Sequence, residues 1–161
     1  MNRKRVRDIV ALIICLAIPF LAGAMGGFFT APAIPTWYAD LAKPAFNPPG
    51  WVFGPAWSAL YAMMGVALYL VWRRGLKQPG VKRSAIFFAA QMALNAAWPF
   101  LFFGLRNPGI ALVEIVILWV MILLTLLAFL RVSRTAGLLL VPYLAWVSFA
   151  AVLNFAIWRL N

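Results

Sequence analysis

The sequence predicts an all-α integral membrane protein, a single bundle of five transmembrane helices, and three observations carry that prediction. Of its 161 residues 66% are hydrophobic and 11% charged, a balance outside the range of soluble domains. Five apolar runs, at 9–29, 51–72, 84–105, 110–130 and 136–158, each approach the roughly 20 residues that a helix needs to cross the hydrocarbon core. Lys and Arg also segregate: eleven of the fourteen lie at 3–7, 73–83 and 131–134, while only Lys43, Arg106 and Arg159 lie in the alternate connections. By the positive-inside rule this places the N-terminus inside and the C-terminus outside. The runs use nearly the whole chain, so residues 1–161 read as one domain without a long internal period.

The net charge of +11 would suggest nucleic acid in a soluble protein. Here the cations sit between apolar runs and form no continuous basic face with base-stacking aromatics, which excludes that partner. Histidine is absent and the one cysteine, Cys15, falls inside the first run. No zinc site of the usual kind, no Cys/His or Ser/His nucleophilic pair and no disulfide framework follow. No metal site is predicted.

The first run follows basic Arg3 to Arg7 and contains Ala22-Gly23-Ala24, features shared with cleavable signal peptides. It is longer than the usual ~7 to 15 residues and continues past the cut, which favours a retained helix. Gly23 and Gly27 make a GxxxG suited to packing a neighbouring helix. A twenty-residue loop, 31–50, follows with five prolines (Pro32, Pro35, Pro44, Pro48, Pro49). Each fixes φ and restricts its predecessor, so the loop reads as a stiff lid on the outer side. Within it Thr36 is expected to cap a short turn at 37–42, and Asp40 to hold the loop through Lys43.

The second run carries Phe53, Trp57 and Tyr61 at i, i+4 and i+8. In the third, Ala85, Ala89, Ala93 and Ala97 recur every four residues, a small-residue stripe that suits either packing within the monomer or a homodimer interface. Gln91, Asn95 and Trp98 occupy a separate face at i, i+4 and i+7. The fifth carries Tyr143, Trp146 and Ala150 at i, i+3 and i+7. Trp51, Trp72 and Trp158 end their runs and read as interfacial anchors. Trp57, Trp98 and Trp146 lie deeper, where an indole N–H wants a partner such as Asn95, Asn154 or a bound molecule. In the fourth run Glu114 lies near the outer interface, and a pair with Arg106 or Arg159 is the favoured expectation over a functional carboxylate. These residues outline an aromatic pocket under the loop, suited to a large, flat, mainly apolar ligand.

Three blocks, WYADLAKPAFNPPGWVFGPAWSALYAMMG, FFAAQMALNAAWPFLFFG and VPYLAWVSFAAVLNFAIWRLN, span the chain in order and resemble the TspO/MBR family, the tryptophan-rich sensory proteins related to the mitochondrial translocator protein. The resemblance implies a five-helix membrane protein, commonly dimeric, that binds protoporphyrin, haem and related tetrapyrroles without a required cofactor. It implies a role in tetrapyrrole transport, scavenging or stress sensing. By motif position it assigns ligand binding to Tyr38, Pro48, Trp57, Tyr61, Asn95, Trp98, Trp146, Ala150 and Asn154. Trp57 and Trp146 match tryptophans linked in relatives to light-dependent porphyrin breakdown, so they are the candidate redox residues of an alternative, enzymatic reading. A structural or partner-binding protein without a small ligand is the third reading.

The animal cholesterol motif is incomplete. Val152 to Arg159 reads VLNFAIWR, with Phe155 and Ala156 where its tyrosine would stand, so sterol-like ligands are expected to bind only weakly. Without histidine, a haem here would be held by stacking and enclosure, or by Tyr, Cys or Met at the iron. A helical bundle belongs by default to the bacterial inner membrane, although outer-membrane placement has been proposed for bacterial relatives.

Overall fold

The computed structural model describes residues 3–161. Among the described residues there are seven α-helices: α1 (Arg3–Ala33), α2 (Trp37–Asp40), α3 (Gly50–Trp72), α4 (Val81–Pro99), α5 (Pro108–Val132), α6 (Arg134–Leu138) and α7 (Val141–Leu160). A π-helical segment, Phe100–Gly104, prolongs α4. Among the described residues there is no strand. Five spans of the described residues are long and apolar enough to cross a membrane: α1, α3, α4 with its π-helical extension, α5, and α6 with α7. The chain is a multi-pass membrane protein.

Alternate ends of these spans fall at two poles. A loop end holds α2, the turn before α5 and the C-terminus, and a basic end holds residues 73–80 and Ser133. Around the bundle the order is α3, α1, α4, α5, α7. At the basic end α6 packs on α3, whereas the backbones of α3 and α7 stay apart, so the ring of helices is open on that side. The main core fills the ring with Met64, Ala67, Phe88, Ile122, Phe129 and Tyr143. Phe88 and Phe129 stack with ring centroids 5.8 Å apart. A second cluster, around Phe102, Ala111, Leu153 and Ile157, receives Trp37, Tyr38 and Leu41 from the loop.

Several boundaries differ from the sequence reading for identifiable reasons. α1 runs on through Pro32 to Ala33, so the connection to α3 is 34–49. Thr36 does not cap α2; its hydroxyl donates to the Pro32 carbonyl at 2.8 Å and its N–H to that of Ala33 at 3.3 Å. It therefore closes the C-terminus of α1, where carbonyls lack intrahelical donors. The third run is not uniform, because Pro99 has no N–H to continue the ladder. An i to i+5 bond, Leu105 N–H to Phe100 O at 2.8 Å, marks the wider turn beyond it. The fifth run is interrupted at 139–140, just ahead of Pro142, which takes a first-turn position of α7.

Gly23 meets the Tyr61 ring and Gly26 the Pro99 ring, while Gly27 faces open space. The expected Gly23/Gly27 pair is thus not a shared contact surface. The closest backbone approach is at Gly65, where an added Cβ would stand 2.7 Å from Leu16 Cα and 2.9 Å from the Cys15 carbonyl. Backbone cannot swing aside as a side chain can. Gly65→Ala is expected to cost ~1–3 kcal/mol through overpacking, and Gly27→Ala to cost nothing; thermal unfolding of the two variants in detergent checks the contrast.

Candidate functional site between α3 and α7

The gap between α3 and α7 holds a cavity of about 600 Å3, lined by Pro48, Ala56, Leu60, Pro142, Ala145, Trp146 and Phe149. Leu60 is buried at its floor, and Pro142 and Ala145 are exposed at its rim. Its volume lies within the roughly 300–1,000 Å3 common for small-molecule sites. Helical spacing builds the wall. Pro142, Ala145 and Phe149 follow one another at i, i+3 and i+7 on α7, and Ala56 and Leu60 at i and i+4 on α3.

Behind the cavity the aromatics bridge the gap that the backbones leave. Trp57 stacks on Tyr61 at 5.3 Å and meets Trp146 edge-on at 6.4 Å and Tyr143 at 6.3 Å. Phe53 meets Trp146 at 6.0 Å, and Trp146 meets Phe149 at 5.8 Å. Among the described residues neither the Trp57 nor the Trp146 indole N–H donates a hydrogen bond. Both remain available to an acceptor in a flat ligand.

The polar residues of the sequence-derived set are mostly engaged with each other. Tyr61 donates to Asn95 Oδ1 at 3.3 Å, Asn95 Nδ2 to the Tyr143 hydroxyl at 2.9 Å, and Tyr143 to Gln91 Oε1 at 2.9 Å. This chain ties α3, α4 and α7 together. Trp98 donates to Asn154 Oδ1 at 3.1 Å, and Asn154 Nδ2 to the Pro108 carbonyl at 2.8 Å, which fixes the start of α5. Pro48 and Trp146 thus stand in the cavity wall and Trp57 and Tyr61 directly behind it. Asn95, Trp98 and Asn154 lie deeper, and Ala150 is half-buried beside the core.

Tyr38 sits apart from the cavity. It packs on Phe103 at 5.6 Å and donates to Asn47 Oδ1 at 3.1 Å. Burial pushes its phenol above the ordinary value and the Asn47 bond pulls the other way. The group stays a neutral donor that fastens the loop. Lys43 does not pair with Asp40: its Nζ donates to the Ala39 and Leu41 carbonyls at 3.1 and 3.0 Å and lies 4.8 Å from the Tyr38 ring centre. A contact absent from the sequence reading locks the loop further. The Asn161 side chain accepts from Ala42 N–H and donates to Ala42 O, both at 3.0 Å. It spans 119 positions, and no local pattern announces it.

Glu114 also departs from expectation. It is buried, forms no ion pair with Arg106 or Arg159, and both carboxyl oxygens lack a hydrogen-bond partner among the described residues. Arg106 has a left-handed backbone, φ 51°, and Arg159 lies at the exposed end of α7.

Comparison with known proteins agrees with this architecture. The model of the TspO/MBR family matches residues 15–159. The chain belongs to the TspO/MBR family. It is 46% identical over 155 residues to the tryptophan-rich protein TspO of Chlorobaculum tepidum, covering 96% of this chain and 98% of that one. It is 40% identical over 148 residues to the translocator protein of Bos taurus, covering 89% and 86%. A tryptophan-rich sensory protein of Cereibacter sphaeroides is 40% identical over 125 residues, covering 78% and 77%.

Two substitutions check this geometry. Tyr143→Phe leaves buried Asn95 and Gln91 each short of a partner and is expected to lower stability by ~1–3 kcal/mol in thermal unfolding. Glu114→Gln keeps the shape and breaks no ion pair, so its melting temperature is expected to equal or exceed the original; a drop of several degrees would reveal a partner for the carboxylate.

Proposed function

We propose that this protein binds a porphyrin or related tetrapyrrole in the cavity between α3 and α7, beneath the proline-rich loop. The observation that carries the reading is the pairing of an open, apolar cavity of about 600 Å3 with two tryptophans, one in its wall and one behind it, whose N–H groups are unengaged. A flat macrocycle gains by stacking on such faces, and its polar edge finds indole donors at the same place. Family membership supports the same ligand class. Pro48 closes the loop end of the cavity, so the loop serves as lid. The role that follows is transport, scavenging or sensing of the tetrapyrrole, with the basic end in the cytoplasm and the bacterial inner membrane as home. Of the α4 stripe Ala89 and Ala93 are exposed and Ala85 and Ala97 half-buried; the exposed pair suits a homodimer contact along α4.

The alternative, destruction of the bound ring by light and oxygen, draws on one specific feature. Trp57 contacts Trp146, Tyr61 and Tyr143 at once, a run of oxidisable rings beside the cavity. A photoproduct that forms only with light and oxygen, and is lost in Trp57→Phe/Trp146→Phe, would establish it.

Fluorescence titration of the detergent-held protein with protoporphyrin tests the main reading. Saturable tryptophan quenching is expected, with affinity at least tenfold lower in Trp146→Ala, about the 1.4 kcal/mol that loss of one stacked ring implies. Quenching that ignores cavity substitutions would contradict it.

A further inference from the structure

A second hollow lies at the opposite end of the bundle and has no part in the site above. It is a groove of about 220 Å3 between α1, α3 and α4. Ala11, Cys15, Val71 and Val81 form its buried floor, and Ile14 and Leu76 its exposed lip. The lining is apolar and the volume lies below the usual range for compact small-molecule ligands. Its small volume and apolar lining suit a single hydrocarbon chain.

Hydrocarbon by itself would confer no selectivity, because the surrounding lipid tails are as apolar as the groove. Charge at the mouth makes the difference. The lining segments run directly into cations: Trp72 precedes Arg73 and Arg74, Leu76 precedes Lys77, and Val81 precedes Lys82 and Arg83. All five are exposed, and none is in an ion pair among the described residues. The chain has three acids, of which only Asp8 belongs to this end, and Arg7 pairs with it at 3.8 Å. Nothing acidic remains to answer this cluster from within the protein, whereas a phosphate at the membrane surface would answer it.

We propose that this groove binds an anionic phospholipid, one acyl chain lying against Ala11, Cys15 and Val81 and the headgroup phosphate held by Arg73, Arg74 and Lys82. Basic pockets between transmembrane helices recognise anionic headgroups in this way. The bound lipid fills the wedge between α1 and α3 on the basic side of their contact at Gly65. It would fix the end of α3 that the tetrapyrrole cavity does not touch.

Native mass spectrometry of the full-length protein tests the proposal, with palmitoyl-oleoyl phosphatidylglycerol and the matching phosphatidylcholine titrated separately. A one-to-one phosphatidylglycerol adduct is expected at a concentration at least about five-fold lower than phosphatidylcholine requires. Arg73→Gln/Arg74→Gln/Lys82→Gln, all at exposed positions, is expected to abolish that preference without changing the melting temperature. Ala85→Phe, which fills the groove wall, is expected to remove the adduct. Should that variant melt early, Ile14→Trp at the exposed lip covers the same mouth. Equal affinity for the two lipids, a preference that survives the triple substitution, or normal binding to a filled groove would each overturn the proposal. So would an adduct carried by monomer and lost on dimerisation, because the groove would then belong to a second copy of the chain.

Discussion

The constraint on which this structure depends is that a polar group inside the bilayer must find its partner within the protein, because lipid offers none. Among the described residues Ser84 Oγ, Gln91 Nε2 and the Glu114 carboxylate are buried without a partner; the other buried amides and hydroxyls near the core meet the constraint with a small set of long-range side-chain bonds. Gln91 and Asn95 on α4 bind Tyr143 on α7, and Asn95 accepts from Tyr61 on α3. Three helices that share no hydrophobic drive to associate in lipid are thereby set in register. Trp98 and Asn154 do the same for α4, α7 and the first turn of α5. With those bonds made, α3 and α7 can part at the loop end without losing their alignment, and the cavity between them is what the parting leaves.

Prolines shape the loop end of that cavity from both directions. Pro99 ends the regular ladder of α4, and the wider π-helical turn that follows presents Phe102 and Phe103 to Trp37 and Tyr38 of the loop. Pro142 allows α6 to close on α3 at the basic end while α7 diverges from it. The loop itself is fastened at three places: Tyr38 to Asn47, Lys43 to the carbonyls that end α2, and Ala42 to Asn161. These side-chain bonds add to the stiffness that the prolines give the loop.

Much of this was legible in the sequence. Five spans follow from run length, and the faces of α3, α4 and α7 from helical spacing, because both depend on local patterns that a membrane enforces strictly. The motif residues Trp57, Tyr61, Asn95, Trp98, Trp146 and Asn154 all reach the interior for the same reason. What escaped was non-local or arose from small backbone changes. The Asn161 clamp joins residues 119 apart, and the π-helical turn inserts itself into a run whose hydropathy is unbroken. Thr36 looked like an N-cap by residue type, yet its hydroxyl serves the helix before it. Glu114 looked paired because two cations share its end of the bundle, yet neither forms an ion pair with it.

Tetrapyrrole binding in the gap between α3 and α7 is the central claim, and a structure determined with protoporphyrin bound tests it most directly. The account places the macrocycle against Trp146 and Phe149, beneath Pro48, with the α3 and α7 backbones little moved. Density in the groove at Cys15, on the outer face of α4, or nowhere on the protein would contradict it.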